Sequence, residues 1–382
     1  MLKLTFVIGL IVIVSYVLYL GRFRRWHTEN TAGNAYFGKS LKERREIRKK
    51  IISNAPFIMP FIRFLACFAN NPDKMPKTNY QGVTGPMNIS SDASFKVGHE
   101  YRPTEDDIIV ATQMRCGTTW MQQIVFEILH KGEGDLTDSG YGHLNAASAW
   151  LECSQHIGVP LAQSPKLGES QKRLLKTHFP ASLCPFNEKT KYIYVTRHPV
   201  SCYASVKDFI GTVAGPFAPP PEHFLNWYCS DDFFWTSWPH HVDGWWNWAQ
   251  KHDNVTFIHF EELKNNPAKV IRDIAVFLDV HLSDEELEKV ILKSDFSYMQ
   301  EREEYFEMIQ PTVNTVSSST RFLNGGKDDR HQDSKEHDRE TINNFVCDYL
   351  AQSSYPLHFY YPDVERSTPK LDKVDSQPQP AV

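Results

Sequence analysis

The sequence predicts an α/β fold: a single domain with a central parallel sheet flanked by helices, preceded by one transmembrane helix. Three observations predict it. Short apolar runs at 107–112, 173–178, 191–196 and 255–260 alternate with helical patterns, as buried parallel strands with covering helices require. The first of these runs stops at a polar loop and restarts as a helix, in "IIVATQMRCGTTWMQQIVFEIL" (108–129). Residues 4–20, "LTFVIGLIVIVSYVLYL", carry no charged side chain and are long enough, with their flanks, to cross a bilayer.

Taken in chain order, the apolar run comes first. It is long, bulky Tyr19 and Leu20 precede Gly21, and no small-x-small site follows, so residues 1–21 read as an anchor rather than a cleaved signal peptide. The segment 22–79 is juxtamembrane. The 382-residue chain carries a net charge of −5, yet between Gly21 and Lys50 ten Lys or Arg stand against three Glu, a local +7 that leaves −12 elsewhere. Because the basic charge is local, no nucleic-acid partner is expected. "KSLKERREIRKK" (39–50) reads as a basic helix suited equally to anionic lipid or to a solvated face. "IISNAPFIMPFIRFLACFA" (51–69) is apolar, but Pro56, Pro60 and Arg63 argue against a second span. It either dips into the membrane interface or packs on the domain, and the sequence leaves both open.

The main domain is expected over 80–363. Asn266 before Pro267 fits an N-cap with proline at the first helical position, and Ser283-Asp284-Glu285-Glu286 forms a capping box. Residues 364–382 are polar and proline-containing and read as a disordered tail. Seven scattered cysteines, without a CxxC pair, suit reduced thiols rather than a disulfide framework or a zinc site. Sequons at Asn88 and Asn254 are short matches that speak weakly for a lumenal domain.

The chemistry gathers in four stretches. In "ATQMRCGTTW" a strand ending at Thr112 meets a loop with Gly117 and a helix from about Thr118, so backbone N–H groups and the positive helix end converge on an anion site. It is P-loop-like but no Walker A loop: Thr112 replaces the first Gly and Thr118 the Lys, while the nearby cation is Arg115. In "RLLKTHFP" the strand period puts Lys176 and His178 on one face at a strand end, a cation beside a titratable base. In "YIYVTRHPVSCYASV" Arg197 ends a strand and Ser205 lies about one and a half turns into the next helix, near the edge where open α/β sheets bind ligands. The loop "FLNGGKDDRHQ" (322–332) pairs glycines with Lys327 and Arg330 and suits closure over a phosphate or a charged surface turn.

Together these stretches resemble the sulfotransferase family that uses 3′-phosphoadenosine 5′-phosphosulfate (PAPS), in its small-molecule branch, over about residues 95–350. The family's PKSGTTW loop is similar to Met114-Arg115-Cys116-Gly117-Thr118-Thr119-Trp120, and its KTHxP segment to Lys176-Thr177-His178-Phe179-Pro180. Its 3′-phosphate pair falls on Arg197 and Ser205, and "WLE" (150–152), "FEELKNNP" (260–267) and "SDFSYM" (294–299) also match. The resemblance implies Trp120 and Phe296 flanking the adenine with Ser294 near it, and Asn324, Gly326 and Arg330 as further ligands. Arg115 departs from the usual Lys, Phe260 from a common Tyr, and the closing loop from RKG towards an FxNxGxxxR form; the TV-containing dimer segment is not recognisable, so the oligomeric state stays open.

The reaction so implied is in-line sulfuryl transfer from PAPS to a hydroxyl or amine of a small, apolar acceptor. His178 would take the acceptor's proton, and Lys176 and Arg115 would steady the leaving 5′-phosphate. No metal is expected, because sulfuryl carries less negative charge than phosphoryl and the histidines, His240 and His241 among them, lack ligand spacing. A segment with six of the nine Trp, Trp227, Trp235, Trp238, Trp245, Trp246 and Trp248, suits either an acceptor pocket or core packing. Two alternatives remain: a membrane-tethered scaffold with a decayed site, and a P-loop nucleotide kinase. The positive-inside rule places the domain in the cytosol, with the Golgi lumen as the alternative.

Overall fold

The computed structural model describes residues 2–32, 34–69, 75–87, 89–153, 157–308, 310–317, 322–323 and 331–367. The chain begins with helices α1 (Leu2–Thr31), α2 (Asn34–Phe37) and α3 (Leu41–Ala66). A two-stranded antiparallel hairpin, β1 (Lys77–Tyr80) and β2 (Val83–Pro86), leads into α4 (Asp92–His99). The parallel sheet is built from β3 (Asp107–Thr112), β4 (Ser148–Trp150), β5 (Arg173–Thr177), β6 (Lys191–Thr196) and β7 (Val255–His259), in the order β4-β5-β3-β6-β7.

Both faces of this sheet are covered, which is why its strands read as unbroken apolar runs. Successive side chains point to opposite faces. Ile108, Val110, Leu174, Ile193 and Val195 join one core with α5 (Thr118–Leu129), α11 (Pro267–Phe277) and α12 (Asp284–Ser294). Ile109, Ala111, Leu175, Tyr192 and Tyr194 join the other, with α7 (Pro199–Ala214), α9 (Trp238–Ala249) and α15 (Glu336–Tyr349). The shorter α6 (Leu144–Ala147), α8 (Pro221–Tyr228), α10 (Phe260–Asn265), α13 (Phe296–Glu301), α14 (Val313–Ser317) and α16 (Leu357–Tyr360) connect and cap these layers. The expected starts of α11 and α12 carry their caps: Asn266 Oδ1 accepts from the Lys269 N–H, and the Ser283 and Glu286 box closes both ways.

Two elements differ from the sequence reading. The basic stretch and the apolar stretch after it are one continuous helix, α3, with Pro56 and Pro60 inside it. Both prolines sit on its exposed side, where the carbonyls left without an amide partner are not sealed in a core. The predicted strand over 255–260 ends at His259, and Phe260 opens α10.

The sheet order positions the site. From β3 the chain passes to the edge strand β4 and returns through β5 beside β3, then crosses to β6 and β7 on the other side. The crevice of such a sheet lies at the carboxyl ends of the strands where the direction reverses. Ala111 pairs with Thr177, Thr112 with Val195, and Thr196 with His259, so the residues just past Thr112, Thr177 and Thr196 emerge side by side.

Candidate active site

The loop after β3 is shaped for close approach. Arg115 has φ +63° and Gly117 φ +105°, and a Cβ on Gly117 would meet Phe260 Cδ2 at 3.0 Å. Only glycine allows that backbone without strain, and its N–H groups open towards the first turn of α5. The Thr118 hydroxyl meets the Thr112 hydroxyl at 2.6 Å. Gln113, buried below the loop, donates to the carbonyls of Phe234 (3.0 Å) and Thr236 (3.2 Å), so it ties the loop to a segment where Trp235 and Thr236 also take positive φ.

His178 follows β5 and is buried. Its Nδ1 lies 2.8 Å from the Thr112 carbonyl, a partner that can only accept, so the ring proton belongs on Nδ1 and the lone pair on Nε2. Nε2 is buried and has no hydrogen-bond partner among the described residues. The ring packs between Trp150 (5.2 Å between centroids) and Trp235 (4.8 Å). Burial, with the Lys176 charge nearby, holds its pKa well below the ordinary imidazole range, so it is neutral at pH 7. Its backbone is pinned too: Glu152 accepts from the His178 N–H at 2.7 Å and from the Thr177 hydroxyl at 2.8 Å, and His241 Nε2 lies 2.9 Å from the His178 carbonyl.

Lys176 is fully buried, with Nζ 3.7 Å from the centre of the Trp150 ring and no hydrogen-bond partner among the described residues. Burial pushes its pKa down to about 8. Lys176 and His178 therefore share the Trp150 ring, as the strand period predicts. Arg115 Nε donates to Ser205 Oγ at 3.3 Å and Nη2 to the Phe322 carbonyl at 3.1 Å.

These groups border a cavity of about 390 Å³, within the range of ligand sites. His178 lies on its wall. Arg115, Arg197, Ser205 and Lys264 form a cationic, polar side, while Trp120, Ile271, Ile291, Phe296 and Met299 form an apolar one. Lys176 is not on the wall. The Trp120 indole donates to the Ser294 carbonyl at 2.8 Å and meets Phe260 edge to face at 5.1 Å. Phe260, where a tyrosine hydroxyl was expected to be missed, acts as a platform: the Arg197 guanidinium lies 4.6 Å from its centre. Thr119 reaches the cavity beside Met308, and Cys116 is buried behind the loop, 3.6 Å from Cys202 Sγ. Asn324, Gly326, Lys327 and Arg330 lie outside the described residues.

Gln113 and His241 were not singled out for the site, Trp150 and Glu152 entered only within the WLE stretch, and Trp235 only among the six clustered Trp, because their part in it depends on contacts between distant segments. Of the six clustered tryptophans, Trp227, Trp235, Trp238 and Trp245 are core residues, and Trp235 is the one whose ring meets His178. His198, His331 and Asp363 bring possible ligand atoms within 4.8 Å of one another. His198 Nδ1 accepts from the N–H groups of Val200 and Ser201, so its proton sits on Nε2, facing Asp363 at 3.1 Å. That is a helix cap with a charged partner, not a ready metal donor.

A family model described as a sulfotransferase domain matches residues 105–353. Among curated proteins, Sulfotransferase 1B1 of Canis lupus familiaris is 29% identical over 210 residues, covering 53% of this chain and 69% of its own. Sulfotransferase 1A1 of Rattus norvegicus is 30% identical over 202 residues, covering 51% and 67%. Among solved structures, mouse sulfotransferase SULT7A1 complexed with PAP aligns with a TM-score of 0.53 at 19% identity, over 72% of this chain and 94% of that one. Retinol dehydratase in complex with androsterone and PAP aligns with a TM-score of 0.56 at 19% identity, over 72% and 91%.

Proposed function

Since the chain belongs to the sulfotransferase family, we propose that it moves the sulfuryl group from PAPS to a hydroxyl or amine of a small, apolar acceptor, with His178 as general base. The observation that carries this reading is the bare Nε2 of a neutral His178 whose other nitrogen is held by the Thr112 carbonyl, at the wall of a cavity with a cationic side. The residues present fit the cofactor. The backbone of Gly117 borders the cavity, Arg197 and Ser205 offer a phosphate two donors, and Trp120, Phe296 and Ser294 border an apolar slot suited to a purine. When bound, the cofactor supplies an activated sulfuryl group on a phosphate leaving group.

This chain's own residues do the rest. His178 Nε2 would take the proton from the acceptor's hydroxyl or amine, and Trp150 and Trp235 pack against its ring. The first-turn N–H groups of α5 would hold the cofactor's 5′-phosphate, and the charge of Lys176 would favour negative charge there. Arg115, bonded to Ser205, contributes on the 3′-phosphate side as well as through its charge. In this reading the apolar helix α1 tethers the domain to a membrane.

The test is incubation with radiolabelled PAPS and a panel of phenols, sterols, aliphatic alcohols and glycans. Label should pass to at least one class of acceptor. His178→Ala should lower turnover by roughly 10²–10⁴-fold while leaving cofactor affinity nearly unchanged, because the base acts in the transition state and not in the ground state. Near-normal turnover would make His178 structural.

A further inference from the structure

Helix α3 has two exposed halves of opposite character. Its inner side buries Arg44, Ile47, Ile51, Ala55 and Ile58 against the domain. Outwards, the first half presents Lys42, Arg45, Glu46, Lys49 and Lys50, whereas the second, with the turn that follows it, presents Ile52, Phe57, Phe64, Leu65 and Phe68. Phe57, Phe64 and Phe68 are 64%, 59% and 66% exposed. Single exposed apolar side chains are ordinary, but five on one stretch of 17 residues are a patch that needs a covering.

Helix α1 says what covers it. The stretch from Phe6 to Leu18 is apolar and exposed, the helix over Thr5–Thr31 is long and apolar enough to cross a bilayer, and Arg22, Arg24 and Arg25 follow the apolar stretch. The two helices meet where both change character. Tyr19 Oη donates to Asn54 Oδ1 at 2.6 Å, Tyr16 Oη donates to the Phe57 carbonyl at 2.6 Å, and the Tyr16 and Phe61 rings lie 6.3 Å apart. On the domain side of that level stand Arg22, Arg24 and Arg25 of α1 with Lys49 and Lys50 of α3, and Lys50 Nζ sits 4.0 Å from the Trp26 ring centre. On the far side both helices are apolar. Two segments about 35 residues apart thus mark one boundary, with tyrosines at it, as a water–lipid interface does.

We propose that the second half of α3 and the turn after it, residues 52–68, lie in the same leaflet as α1 and form a non-spanning lipid contact of their own. This rests on the reading of α1 as a membrane span. Arg63, Pro56 and Pro60 keep it from crossing, and the chain returns to the domain at β1. The contact is coupled to the candidate site. Arg44 donates to the Glu304 carbonyl at 2.7 Å, Arg48 pairs with Glu307 next to the cavity residue Met308, and His27 Nε2 lies 2.9 Å from the Pro311 carbonyl. The two helices therefore hold the segment that contributes Met308 to the cavity.

The experiment uses the full chain in phosphatidylcholine vesicles whose acyl chains carry a diazirine, with adducts mapped by mass spectrometry after irradiation. Adducts are expected on α1 and on the peptide spanning Phe57 to Phe68, and not at Val276 or Leu292, which are as exposed but lie on the domain. The triple variant Phe57→Glu, Phe64→Glu, Phe68→Glu should lose the α3 adducts and keep those on α1. Label on α1 alone would overturn the lipid contact while sparing the anchor, and label on neither would overturn both. Crosslinks between α3 of two chains, without lipid adducts, would assign the patch to a second copy and equally overturn the proposal.

Discussion

Lys176 joins two properties that seldom coexist, full burial and a positive charge without a hydrogen-bond acceptor among the described residues. An uncompensated buried ammonium is costly, and part of that cost shows as a pKa pushed down to about 8. A lysine with a lowered pKa is charged below that value and neutral above it. If the charge serves the departing phosphate, kcat/KM of the wild type should fall as pH rises through about 8, since that ratio reports the free enzyme. Lys176→Arg, which cannot lose its charge in this range, should move the alkaline limb upwards, and a limb unchanged by the substitution would remove Lys176 from the mechanism. Arg197 carries a second expectation. Calorimetry should show Arg197→Ala weakening PAP by about 1.5–3 kcal/mol, the range for a hydrogen bond to a charged group, and weakening an analogue without the 3′-phosphate much less. Equal losses on both ligands would mean that Arg197 supports the fold. Lys176, His178, Arg197 and Ser205 were legible in the sequence because strand ends and helix starts can be read locally. The contacts of Glu152, Trp235 and Gln113 were not: each touches a segment 26 to 123 residues away, which no local pattern encodes.

At the scale of elements, the junction of β3, its loop and α5 depends on one glycine. Gly117 opens the helix at φ +105°, and Phe260 at the head of α10 fills the space where any side chain would go. Gly117→Ala would force that backbone into a region costing L-residues about 1–2 kcal/mol, and would press on the ring that carries Trp120 and Arg197. The expected outcome is a loss of cofactor affinity of similar size, with the protein still folded by circular dichroism; unchanged affinity would show that the loop does not hold the anion. The strands β3, β5, β6 and β7 could be read from their apolar runs because both faces of each are buried. β4 escaped because it is a three-residue edge strand, Ser148–Trp150, too short to show a period, and the β1–β2 hairpin is similarly short. Helix α3 escaped for another reason. Two prolines in an apolar stretch normally signal an end, and here the helix passes through both because the orphaned carbonyls face outwards rather than into the core.

For the whole molecule, the proposal that α1 crosses a membrane carries an expectation about the side on which the domain lies. Arg22, Arg24 and Arg25 follow the apolar run at once and the basic half of α3 comes soon after. On that proposal the positive-inside rule would put this charge, and the domain with it, in the cytosol. The thiols agree: the seven cysteines are free, although Cys116 and Cys202 lie with their sulfurs 3.6 Å apart. Such a pair persists more readily in a reducing compartment than in an oxidising lumen. The sequon at Asn88 falls outside the described residues. The one at Asn254 is engaged by the fold, its Nδ2 donating to the carbonyls of Thr190 at 2.7 Å and Asn187 at 3.0 Å. A glycan on that nitrogen would take the place of one donor hydrogen and break one of the two bonds, leaving a part-buried carbonyl short of a partner at a cost of about 1–3 kcal/mol. In sealed microsomes, protease added from outside should therefore digest the catalytic domain, and glycosidase should leave its mobility unchanged. A protected domain carrying glycan would place the domain in the lumen, and the sulfuryl-transfer chemistry would then have to draw its cofactor from that side.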